Sequence, residues 1–185
     1  MILMKDTSIV RVDMNTCPLE MLQQWAECYC EIWKEPPWNE DYWRPHEVVN
    51  DFKGLMLKPD ASAFLAIQNG SIAGFTLGYS ANREELQVIA GNSMMDQLFE
   101  KYARVFYIGE LGVAAQYRGQ RISPILTAAL IQAAQNSGIK GIVLRTHMKA
   151  YAARYVYKKL AFAELDVHDT KYPERTYWLL DVGDQ

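Results

Sequence analysis

At 185 residues the chain is long enough to bury a core, and residues 1–185 are expected to form one domain. Half of the residues are hydrophobic and 22% are charged, which excludes a disordered chain. A net charge of −3, from 19 basic and 22 acidic side chains, excludes nucleic-acid binding by bulk electrostatics.

The first residues, Met1 to Asp6, lack the basic segment and apolar run of a secretory signal. The longest apolar stretch, Ile122 to Ala134, is too short to cross a bilayer and carries Ser123, Pro124, Thr127 and Gln132. A cytoplasmic protein with no membrane partner is expected. Cys17, Cys28 and Cys30 are an odd number in a chain too large to need staples, so they read as reduced thiols.

In chain order, Thr7 to Asp13 predicts a first strand, with Ile9, Val10 and Val12 supplying β-branched residues. Asn15-Thr16-Cys17-Pro18 predicts a helix start with proline in the first turn. Leu22, Trp25, Ala26, Tyr29 and Trp33 then recur at three- and four-residue spacing, an amphipathic helix. Pro36 and Pro37 end it, and a second helix is expected from about His46 to Leu57. Ser62 to Gln68 and Ser71 to Ser80 flank Asn69-Gly70, a strong hairpin signal. Glu84 to Ala90 and Met94 to Ala103 read as weak helices broken at Gly91-Asn92, a connection folding over the substrate side. A strand around Tyr107 to Val113 precedes a helix whose apolar face is Ile122, Leu126, Ala129, Leu130 and Ala133, capped by Ser137-Gly138. Gly141 to Thr146 predicts a buried strand and Ala150 to Leu160 a helix. Ala163 to His168 and Thr176 to Val182 predict the last two strands. Early hairpins followed by a β-α-β unit argue for a central mixed sheet covered by helices.

Chemistry concentrates between Tyr107 and Ser123. A strand, a short polar turn around Gly119 and an apolar-periodic helix present free backbone N–H groups to a phosphate. Glu110 adds a lone carboxylate just before the turn. The segment Glu110 to Ser123, E-L-G-V-A-A-Q-Y-R-G-Q-R-I-S, resembles the acyl-CoA-binding signature of the GNAT superfamily of N-acetyltransferases. That signature is a Gln or Arg, two residues, a Gly, one residue, then a Gly or Ala. Gln116 and Gly119 match it, while Arg121 stands where the second small residue is expected. The run Ala153 to Phe162 resembles the family's second signature, a helix ending in Leu-Tyr-x-x-Leu-Gly-Phe.

The resemblance implies an α/β fold of the α+β kind, with a mixed, mostly antiparallel twisted sheet of about six or seven strands flanked by helices. It implies acetyl-CoA as cosubstrate, bound by Leu111, Gly112, Val113, Arg118, Gly119, Gln120, Arg121, Ile122 and Ser123. The Val113 N–H would face the thioester carbonyl and stabilise the oxyanion. Arg121 cannot imitate glycine sterically, yet its charge suits a phosphate. Tyr157 would be the general acid and Glu110 the general base of transfer to a primary amine. Read without the family, Tyr157 also fits a core tyrosine beside Ala153 and Leu160, and Glu110 a solvated edge glutamate or the partner of a nearby arginine. Ala150 replaces an Asn common in the family, and Ala161 replaces the glycine after the helix.

Trp38 and Glu40 lie where the family builds its acceptor pocket, and aromatic faces with carboxylates suit a cationic amine. His46, His147 and His168 share no metal-ligand spacing, so no metal is expected. A small-molecule amine is the expected acceptor; a protein acceptor, a homodimer and a non-catalytic acyl-CoA-binding module of the same fold remain open.

Overall fold

The chain opens with β1 (Thr7–Arg11), where Ile9 and Val10 suit a pleated strand, and continues into α1 (Leu19–Trp33). Pro18 is the N-cap of α1 rather than part of its first turn, and no side chain caps the helix there. The computed structural model describes residues 7–90, 92–167, 169 and 171–183, apart from the side chains of 92 and 93. The predicted stripe of α1 is the buried one: Leu22, Trp25, Ala26, Tyr29 and Trp33 all leave solvent. After the Pro36-Pro37 interruption, α2 (Pro45–Leu55) starts on a proline whose missing N–H costs nothing at a helix start. Phe52 of α2 stacks on Trp25 with ring centroids 4.0 Å apart, which locks the two helices together.

β2 (Ser62–Gln68) and β3 (Ser71–Ala81) form the hairpin signalled by Asn69-Gly70. Both turn residues have positive φ, 52° and 76°, which matches the right-handed twist of the strands. The segment after β3 forms α3 (Arg83–Gln87) and α4 (Asn92–Phe99). An Asn82–Glu85 capping box starts α3, each side chain bonding the other's backbone N–H at 3.0 Å. Leu86, Met94, Met95 and Leu98 bury themselves in the same core as α1 and α2. Of the expected break at Gly91-Asn92, Asn92 is the first residue of α4 and Gly91 lies outside the described residues.

The second half holds β4 (Val105–Val113), α5 (Ile122–Asn136), β5 (Gly141–His147), α6 (Tyr151–Lys159), β6 (Ala163–Glu164) and β7 (Arg175–Asp181). β6 is much shorter than the predicted strand to His168. Leu165 N still donates to Tyr177 O at 2.8 Å, but Val167 N turns back onto Leu165 O at 2.9 Å, which takes the chain off its partner. His168 itself lies outside the described residues.

Among the described residues, seven strands form one sheet in the order β1-β2-β3-β4-β5-β7-β6, antiparallel except between β4 and β5. This is the expected mixed, mostly antiparallel sheet flanked by helices. On one face α1 to α4 pack against Leu65, Phe75, Leu77, Tyr107, Val143 and Tyr177. On the other, α5 and α6 cover Phe106, Ile108, Ile142, Leu144 and Trp178, and Ala66 and Ala73 further along. Among the described residues, no helix is long and apolar enough to cross a membrane.

Candidate active site

The site arises from a defect in strand pairing. β4 and β5 run parallel and pair only at Phe106–Ile142, Tyr107–Val143 and Ile108–Leu144. Beyond Ile108 the strands part, β4 staying with β3 to Val113 and β5 with β7 to His147. A bulge coincides with the parting: across from Leu77 and Gly78, β4 contributes Glu110 and Ile108, leaving Gly109 as the extra residue. Strand alternation would put Tyr107 and Glu110 on opposite faces. The inserted residue puts both on the α1–α2 face, because Glu110 now sits across from Leu77, which faces that core.

Past the bulge, Ala114 N donates to Ala73 O at 3.0 Å and Thr76 Oγ1 donates to Glu110 O at 2.8 Å, so these two residues turn their polar groups toward β3. Alternation then aims the N–H groups of Leu111 and Val113 into the gap, with Gly112 between them turned back to β3. The Val113 carbonyl on the gap side is already taken, accepting from Arg118 Nε at 3.0 Å.

A cavity of about 660 Å³ runs through this gap and reaches both faces of the sheet. Tyr29, Trp33, Trp38, Glu40 and Trp43 line it on one side, Glu110, Leu111 and Thr146 at the split, and Ala150, Ala153 and Tyr157 on the other. Burial pushes the Glu110 carboxyl up to about 8; the negative charges of Glu40 and Asp51 push the same way, and Arg145 partly opposes them. Tyr157 is buried against Phe162 and Trp178, with ring centroids 5.8 and 6.3 Å away. Burial, with Tyr107 and Glu110 beside it, raises its phenol well above the ordinary value, so it stays protonated at neutral pH.

On the α1–α2 side, Trp43 Nε1 donates to Glu40 Oε2 at 2.7 Å. Trp38 lies under the Arg175 guanidinium at 4.8 Å, stacks on Trp33 at 6.0 Å and meets His147 edge-on at 5.9 Å. Burial, then the charge of Arg175, lower the His147 pKa. Among the described residues, no cluster of three His, Cys, Asp or Glu side chains could hold a metal ion.

At the far end of β4 a 3-10 turn (Ala115–Tyr117) leads into the loop before α5. Tyr117 N and Arg118 N bond back to Ala114 O and Ala115 O at 2.9 and 3.3 Å. Among the described residues, no backbone carbonyl accepts from the N–H groups of Gly119, Gln120, Arg121, Ile122 or Ser123. These donors cluster at the N-terminus of a fifteen-residue helix, the arrangement that attracts a phosphate. Gly119 has φ +76° and Arg121 φ +61°, so the arginine adopts the left-handed conformation a glycine would take freely. Arg118 is engaged elsewhere, its Nη1 lying 2.6 Å from Glu35 Oε2. Gln120 is tied to the sheet, accepting at 3.0 Å from Nε2 of the buried Gln68.

The profile of the acetyltransferase (GNAT) family matches residues 19–162, and so spans most of the chain. This protein belongs to the GNAT acetyltransferase family. A GNAT-family acetyltransferase from Staphylococcus aureus superposes with a TM-score of 0.67 at 18% identity, covering 96% of this chain and 99% of that one. A putative acetyltransferase of the GNAT family from Desulfovibrio desulfuricans gives 0.68 at 12% identity, over 96% and 100%. Arabidopsis thaliana NAA60, solved in complex with acetyl-CoA, gives 0.66 at 12% identity, over 97% and 100%. At these identities the likeness is one of fold. Curated protein sequences give no match.

Within this GNAT domain, Glu110, Leu111, Tyr157, Trp38 and Glu40 line one cavity, while Gly119 to Ser123 lie at the helix end beyond it. Arg145, Arg175 and Gln68 escape a sequence reading. An arginine directly after Ile142-Val143-Leu144 is a charge on a buried strand, and that was the signal for Arg145. Gln68 carries no comparable signal.

Proposed function

We propose that the protein transfers an acetyl group from acetyl-CoA to a primary amine by direct attack within a ternary complex. One observation carries this reading: a single cavity passes through the β4–β5 split, with a carboxyl on one side and a buried phenol on the other. Acetyl-CoA is the cosubstrate and supplies the acetyl thioester. It lies along the split on the α5–α6 side, its pyrophosphate at the N–H groups of Gly119 to Ser123 and beside the Arg121 charge.

The amine enters from the α1–α2 side, past Trp38 and Glu40. Glu110, ionised, takes a proton from the attacking nitrogen, and a carboxyl titrating near 8 is well matched to that task. The N–C bond forms as the C–S bond breaks, and the Val113 N–H stabilises the carbonyl oxygen as it gains charge. Tyr157 then gives its proton to the departing thiolate. Its raised pKa keeps that proton in place until the thiolate needs it. The family match over 19–162 and the continuous sheet support one acetyltransferase domain.

The test is a screen of amines with acetyl-CoA, following free thiol and the mass of each product. The reading expects N-acetyl product in step with released CoA. Tight acetyl-CoA binding with no acetylated amine would instead mark a non-catalytic acyl-CoA-binding domain, the reading that the strained Arg121 in the phosphate loop favours.

A further inference from the structure

The acceptor side of the cavity holds two guanidinium groups that the transfer chemistry does not use. Along β5, Leu144 belongs to the core under α5 and α6, so Arg145 and His147 project to the opposite, acceptor face with Tyr107 and Glu110. Arg145 is half-buried and lines the cavity. Its Nη1 donates to Ile89 O at 2.6 Å, and its guanidinium lies 5.3 Å over the Tyr172 ring. Among the described residues, no carboxylate lies within ion-pair distance of it. The nearest carboxylate it feels is the buried Asp169, which accepts from Tyr177 OH and from the backbone of Lys171 and Tyr172, so its charge reaches Arg145 through the Tyr177 hydroxyl and not by a direct pair.

Arg175, also cavity-lining, is only loosely paired. Its Nη2 lies 3.9 Å from Glu40 Oε1, its side chain is 17% exposed, and its buried Nε lies 3.3 Å from Glu174 Oε1 without the alignment of a hydrogen bond. Among the described residues, neither guanidinium is held by a carboxylate in two-point contact, and the planar fork of a half-buried arginine matches a carboxylate in that geometry.

Resting on the acetyltransferase reading above, we infer that the amine acceptor also carries a carboxylate, and that Arg145, assisted by Arg175, holds it while Glu110 faces the amine. The acceptor class is then an amino acid or a similar small amino-carboxylate. A polyamine or an internal lysine would set a cation or a neutral chain against Arg145 and bring it no negative charge. Trp38 and Tyr172, each packed against one of the two arginines, wall the same space with apolar surface and limit how much water competes for the carboxylate.

The test measures kcat/KM with acetyl-CoA for α- and ω-amino acids, each beside its carboxamide and its decarboxylated amine. The wild-type enzyme is expected to prefer the carboxylate member of the best set at least about tenfold, a modest demand for a charge-assisted pair. In Arg145→Met that ratio falls toward one, and Arg145→Lys keeps part of it. The ratio is taken within each variant, so a partial loss of folded protein does not imitate the effect, and the wild-type ratio stands without any variant. Carboxamides used as well as the acids, or a preference that survives in Arg145→Met, overturns this inference and leaves acetyl transfer intact. Failure to acetylate any amine in the panel overturns acetyl transfer and this inference together.

Discussion

At the scale of single residues, Glu110 and Ala161 make the sharpest claims. Glu110 keeps its proton to about pH 8 in the folded protein, far above the ordinary carboxyl value of about 4.3. The folded state therefore binds that proton more tightly than the unfolded chain, and stability falls as pH rises from the unfolded value toward about 8. Glu110→Gln removes this dependence, so its melting temperature relative to wild type should climb between pH 5 and pH 9. A constant difference across that range would show that the carboxyl is not perturbed. Ala161 has φ +64° in a helix end where its N–H bonds Lys158 O and the Phe162 N–H bonds Tyr157 O. Ala161→Gly should stabilise by about 0.5–1 kcal/mol, the left-handed cost less glycine's entropy, which is roughly 1–4 °C in Tm. Ala161 was legible because the second signature wants glycine there. The burial of Glu110 was not, because Glu40, Asp51 and Arg145 reach it only through the fold.

At the scale of elements, the β2–β3 hairpin, the amphipathic α1 and the strand-turn-helix of β4 and α5 follow from local chemistry, and the sequence shows them. The bulge at Gly109 does not show, since an inserted residue looks like any other until its partner strand is known, yet it alone turns Glu110 to the acceptor face. Gly78 sits across from Ile108 at this bulge, and a Cβ there would come within 2.9 Å of Tyr107 O and strike the Phe106 ring. Gly78→Ala should therefore cost about 1–3 kcal/mol. At Gly109 a Cβ would meet nothing nearer than 3.7 Å, so Gly109→Ala should change stability by less than about 1 kcal/mol. Equal losses in denaturant melts of the two variants would mean the bulge is placed wrongly. β6 ended early for a similar reason: Ala163 to His168 alternates well enough for a strand, but the turn at Val167 ends the pairing first.

At the scale of the whole molecule, two half-sites built on opposite faces of one sheet meet through the split between β4 and β5. The half proposed for the cofactor, Leu111 to Ser123 with Tyr157, rests on two motifs that can be read along the sequence. The half proposed for the acceptor is legible only at Trp38 and Glu40, because Arg145, Tyr172 and Arg175 join them in the cavity from the other end of the chain. Gln68 in β2 links the edge strand β1 to the loop before α5, its Nε2 lying 3.0 Å from both Thr7 Oγ1 and Gln120 Oε1. Gln68→Leu should weaken that anchor by about 1 kcal/mol, raising KM for acetyl-CoA roughly fivefold while kcat changes little. A fall in kcat with unchanged KM would contradict it. The central claim is that Glu110 accepts the amine proton across the split, and the direct test is the pH dependence of kcat/KM for the acceptor in wild type and Glu110→Gln. The amine's own titration is common to both enzymes, so the comparison isolates the carboxyl. The wild-type profile should bend near pH 8, and Glu110→Gln should lose the bend together with about a hundredfold or more in rate. A Glu110→Gln enzyme with the wild-type rate and the same bend would contradict the account.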